Sequence, residues 1–73
     1  MERDYTVIIE EDEDGFYVAS VPELPGCHTQ AKTIDDLINR IKEAIEVYLE
    51  VEREADIPKL NFIGIQRVRV EVS

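Results

Sequence analysis

Cys27 and His28 are the only thiol and the only imidazole in the chain, and they are neighbours. A nucleophile–base pair needs the imidazole within hydrogen-bond reach of the thiol and an orienting carboxylate behind it. In an extended segment, adjacent side chains point to opposite faces, so this spacing drives the two groups apart. No basic neighbour is placed to lower the thiol's pKa, and Cys27 is expected as a small core or turn residue. The run Glu10-Glu11-Asp12-Glu13-Asp14-Gly15 opens as a calcium loop does, with acids at alternating positions and then glycine. Its twelfth position would be Val21, where a bidentate glutamate is needed, and a strand follows in place of a helix. A solvated hairpin tip is expected there, with no metal or cofactor. Arg67 and Arg69 share one side of an extended pattern and would suit a phosphate, but cross-strand acids are better partners in so acidic a chain. There is no Gly-rich phosphate loop, no Ser-His-Asp arrangement and no Cys/His metal spacing. No catalytic, cofactor or metal residues are therefore expected, and the chain does not read as an enzyme.

With catalysis set aside, charge is the strongest signal. The 17 acidic and eight basic side chains give a formal net charge of −9. Phosphate binding depends on Lys and Arg displacing counterions, so direct nucleic-acid binding is not expected. A basic protein partner fits better, because opposite fields accelerate encounter. The 73 residues make one domain, 1–73, that buries only about 60% of its unfolded surface and gains from association. One cysteine excludes a disulfide framework and suits a reducing compartment. No apolar run approaches the roughly 20 residues of a membrane span, and Met1-Glu2-Arg3-Asp4 lacks a signal-peptide pattern, so a cytoplasmic protein is expected.

The elements that must position these residues begin with a strand over Tyr5 to Glu10, rich in β-branched and aromatic residues. Asp14-Gly15 is a hairpin signal, and Phe16 to Val21 is the returning strand. Then comes Val21-Pro22-Glu23-Leu24-Pro25-Gly26-Cys27. Pro25-Gly26 suits the central positions of a type II turn, and Pro22 ends the strand because it cannot donate to a ladder. Cys27 to Ala31 is a short third strand. The period then changes: Ile34, Leu37, Ile38, Ile41, Ala44, Ile45, Tyr48 and Leu49 make a helical apolar stripe. Thr33 is its N-cap, Asp35 and Asp36 sit in the first turn, and Asp36 and Arg40 form a favourable i,i+4 pair. The helix is expected to reach about Glu54 and to stop at Asp56-Ile57-Pro58.

Phe62 to Val72 reads as a last strand with Val68, Val70 and Val72 on one side and Arg67, Arg69 and Glu71 on the other. Ile63 and Ile65 have the opposite parity from those valines, so a bulge or a later start near Gln66 is required. The expected fold is α+β: a two-layer βββαβ with a mixed sheet in order 3-2-1-4, a right-handed crossover and one helix on one face. One helix can bury only one face of the sheet. Val47 and Val51 also lie off the helix's main stripe and add a second apolar strip. Such exposed surface predicts a homodimer or higher homo-oligomer, with Val47 and Val51 in the interface.

The strand–Asp-Gly–strand unit, the Pro22/Pro25/Gly26 corner and the helix carrying Lys42-Glu43-Ala44-Ile45-Glu46-Val47-Tyr48-Leu49 together resemble the HicB family of antitoxins. The resemblance spans about residues 5 to 58. It implies a partial ribonuclease-H-like fold and a partner, HicA: a small basic RNA-cleaving toxin whose catalytic histidine and RNA surface the antitoxin covers. The family often has glycine near the helix entry where this chain has Ala31. Many members also carry a C-terminal DNA-binding segment, and a chain ending at Ser73 after its last strand is expected not to bind operator DNA. Ribonuclease-H enzymes place a metal-binding carboxylate in mid first strand, and Thr6-Val7-Ile8 offers none.

Two functions compete, and a third, metal-dependent RNA cleavage, is what the ribonuclease-H likeness alone would imply. The first is an antitoxin-type module that neutralises a basic HicA-like RNase, with Glu10, Asp12, Asp14, Glu43, Glu46 and Glu50 steering the encounter. The second is a stand-alone oligomeric domain that binds an unknown protein, with no toxin.

Overall fold

The computed structural model describes residues 3–52 and 60–72. They form β1 (Ile8–Glu11), β2 (Tyr17–Ser20), β3 (His28–Ala31) and α1 (Ile34–Glu52). The strands make one antiparallel sheet in order β1-β2-β3, with Ile9 opposite Ala19 and Ala19 opposite Thr29. The expected meander is present, with strands shorter than their apolar patterns.

Both corners are built from local chemistry. At the first, the Asp12 carboxylate accepts the Asp14 and Phe16 N–H groups, both at 2.9 Å, and Gly15 takes a φ of +86°. At the second, the Cys27 N–H closes a turn on the Leu24 carbonyl at 3.0 Å across Pro25-Gly26, with Gly26 at φ +83°. That is the value a type II turn demands of its third residue. The Val21 N–H then reaches the Cys27 carbonyl at 3.1 Å, which restarts the ladder toward β3. A carboxylate completes the corner: Glu23 accepts the Thr6 N–H through both oxygens, at 3.0 and 3.2 Å.

Period-two alternation sends Ala19, Val21, Cys27 and Ala31 to one face, where they are buried with Leu24, Leu37 and Ile41. Tyr5, Val7, Tyr17, Ala44, Ile45, Tyr48 and Leu49 pack around this core. Thr33 caps the helix as expected, its hydroxyl oxygen accepting the Asp36 N–H at 3.1 Å. Arg40 does not serve Asp36. Its guanidinium donates to the Gln30 carbonyl at 3.3 Å, tying the helix to the outer edge of β3. The axis of α1 lies over β3 and β2 and not over β1.

Among the described residues the sheet is the 3-2-1 part of the expected 3-2-1-4 order, and the expected fourth strand and its crossover are not formed. Residues 60–72 carry no regular secondary structure, and Ile63, Ile65, Val68, Val70 and Val72 are exposed. The parity switch between the isoleucines and the valines denies the segment as a whole a single buried face. The expected helix end near Glu54 and the Asp56-Ile57-Pro58 stop fall outside the described residues.

Candidate protein-binding surfaces

Strand alternation separates Cys27 from His28. The thiol is 5% exposed in the core, and burial pushes its pKa up; the imidazole lies exposed on the far side of the sheet. Burial and separation from the imidazole both disfavour the thiolate, which is the nucleophilic form. Among the described residues, no group of three or more His, Cys, Asp or Glu is arranged to hold a metal ion. No described helix is long and apolar enough to cross a membrane.

The six acids singled out in the sequence fall in two places. Glu10, Asp12 and Asp14 are exposed at the β1–β2 hairpin, whose tip lies at the end of the sheet where β3 runs into α1. Asp12 is committed to the turn through its two N–H contacts, which leaves Glu10 and Asp14 as the free charges of the set. Glu43, Glu46 and Glu50 are exposed along the outer side of α1. At about 1.5 Å rise per residue, Glu50 lies roughly 24 Å along the axis from Ile34. The acids are thus two separate patches, and a partner meeting both must span the length of the helix.

Val47 and Val51 behave as their helical phase predicts, at 61% and 54% exposure. With Ala44 and Tyr48 they form one wall of an open groove of about 760 Å³. Its other wall is the turn residues Gly26 and Cys27 with His28 and Thr29 at the start of β3, and Arg40 and Glu43 line it as well. Lined by valines and a tyrosine with a few charges, it has the composition of a protein-docking surface. The helix-free face of the sheet is more mixed than expected. Ile8, Phe16 and Val18 are half-buried among Glu10, His28 and Gln30, and Lys32 sits 5.8 Å over the Phe16 ring. The most exposed apolar side chains lie elsewhere, on α1 and in residues 60–72. Sequence reading missed Glu23 and the structural use of Asp12. The first contact joins residues 17 apart and leaves no local signal, whereas an Asx turn at Asp12 before Asp14-Gly15 is a legible motif.

The chain is similar in sequence to known proteins. A family model described as a HicB-like antitoxin of bacterial toxin–antitoxin systems matches residues 5–72. An Archaeoglobus fulgidus protein named UPF0150 protein is 55% identical over 67 residues, covering 92% of this chain and 94% of its own. A UPF0150 protein of Synechocystis is 46% identical over 69 residues, covering 93% and 96%. A third, from Thermoplasma acidophilum, is 61% identical over 46 residues, covering 63% and 67%.

Proposed function

This chain belongs to the HicB-like antitoxin family, and we propose that it is a binding module that neutralises a small basic HicA-like RNase toxin by covering its active site. The family match over residues 5–72 carries the reading. The net charge of −9 supports it, since an acidic surface attracts a basic partner and repels the RNA with which it would compete. Inhibition is steric: the module brings no catalytic group of its own and occupies the surface that RNA must reach. Glu10 and Asp14 on the hairpin, with Glu43, Glu46 and Glu50 on α1, steer the approach. Asp12 holds the hairpin that presents the first two. The setting is the reducing cytoplasm, where a lone buried cysteine stays a thiol.

The test is reconstitution with a small basic protein encoded beside this one. A complex should form at low salt, and RNA cleavage by the basic protein should stop at one equivalent. Absence of any complex at low salt defeats the proposal. RNA cleavage by the acidic chain alone with magnesium or manganese would defeat its non-enzymatic part.

A second reading, a stand-alone homo-oligomer that binds another protein without a toxin, is favoured by one observation. Val47 and Val51 on α1, and Ile63, Ile65, Val68, Val70 and Val72, are all more than half exposed, and exposed apolar side chains grouped in this way mark an interface.

A further inference from the structure

We propose that residues 66–72 of one copy add as a fourth strand to the outer edge of β1 in a second copy. This inference rests on the oligomer reading and is independent of any toxin. The segment has the alternation of a strand and, among the described residues, joins no sheet. Among the described residues its one hydrogen bond is local, from the Gln66 amide to the Arg67 carbonyl. Ile63 is 93% exposed and Val72 89%. The protomer is long for its size. It measures 46 × 27 × 20 Å with a radius of gyration of 14.4 Å, against about 11 Å for a compact chain of this length.

The edge that receives it follows from the ladder. In an antiparallel strand, successive residues turn their backbone groups alternately toward and away from a given neighbour. The Asp12 N–H points at Phe16 in the hairpin, so Ile8 and Glu10 serve β2. Val7, Ile9 and Glu11 therefore turn their N–H and C=O groups outward, along an edge no strand occupies. The other edge is guarded. Arg40 already donates to the outward Gln30 carbonyl of β3, and His28 and Lys32 flank it. A strand bearing Arg67 and Arg69 would meet Arg40 and Lys32 there.

Side chains and charge agree with β1. Residues 5–11 and 66–72 are equal in length. With Val68, Val70 and Val72 turned to the helix side, they lie beside Ile9, which α1 leaves 43% exposed. Ile34 and Ile38, on the flank of α1 away from the groove, are also exposed. Arg67 and Arg69 then fall on the face that carries Glu10. They are two of only eight basic side chains, on a segment whose single acid is Glu71, while nearly all the negative charge lies on the body it would meet. The occupant is another copy because the segment stands clear of its own sheet.

Light scattering at micromolar concentration tests this with the chain as it is. The expected mass is twice 8.4 kDa. Val68→Asp/Val70→Asp, at exposed side chains, should return the mass to that of one protomer with the helical circular dichroism unchanged. Ile9→Pro, which removes an outward N–H from the edge, should do the same. A monomeric parent chain defeats both this inference and the oligomer reading. A dimeric parent whose Val68→Asp/Val70→Asp or folded Ile9→Pro variant stays dimeric defeats this inference alone.

Discussion

Gly26 shows how one residue shapes the fold. Its φ of +83° lies where a β-carbon is disfavoured, yet nothing lies within 4 Å of where that carbon would stand. Substitution there tests backbone conformation alone. Gly26→Ala should destabilise the domain by roughly 1–2 kcal/mol in urea unfolding, and Gly26→Asn by less, since asparagine tolerates the left-handed region. Equal losses for both would contradict this. The next residue makes a prediction of opposite origin. Burial raises the Cys27 pKa above its usual 9.0, so the native state keeps a proton that the unfolded chain gives up. The stability from this group is complete below pH 9 and is lost as pH rises through the native value. Urea midpoints between about pH 8 and pH 10.5 should fall less steeply for Cys27→Ala than for the parent chain, provided each variant is compared with its own value at pH 7.

At the scale of elements, what could be read from sequence is what is encoded locally. The meander follows from alternation plus Asp14-Gly15 and Pro25-Gly26, and each corner forms within a few residues of its signal. The helix follows from the apolar stripe and its cap, and Thr33→Ala should cost about 1 kcal/mol in the same assay while Thr33→Ser costs less. Failure of the alanine to destabilise would mean the cap hydrogen bond is replaced by water at no loss. The unread parts are non-local. Nothing near Glu23 announces that it will hold Thr6, and nothing near Arg40 announces that it prefers the Gln30 carbonyl to Asp36. The last strand is the sharpest case. Its alternation is a true property of residues 66–72, but alternation says only that a segment is fit to pair. The partner edge is set by where α1 comes to rest, which depends on the packing of Leu37 and Ile41 against Ala19 and Ala31. The candidate surface divides the same way: Val47 and Val51 were legible from helical phase, whereas the separation of the acids into two patches needed the sheet's orientation.

For the whole molecule, the net charge of −9 acts on every association, and with opposite sign for the two partners proposed. A basic toxin is drawn in from beyond contact distance. Its association rate should therefore fall by tenfold or more as salt rises from about 20 to 500 mM, because the Debye length shrinks well below the size of the protein. A second copy is repelled over the same distances, since each body carries the same excess of acid. Its attachment depends on backbone pairing and on valines leaving water, to which exposed Arg67 and Arg69 contacts with Glu10 add no more than about 1 kcal/mol. Screening removes more repulsion than attraction in that case, so the dimer should hold or tighten over the same salt range. Analytical ultracentrifugation of the chain alone, beside stopped-flow mixing with the basic protein, measures both. If the two associations weaken in parallel as salt is added, charge is attracting the copies to each other. The segment's arginines, and not its valines, would then be what holds them together.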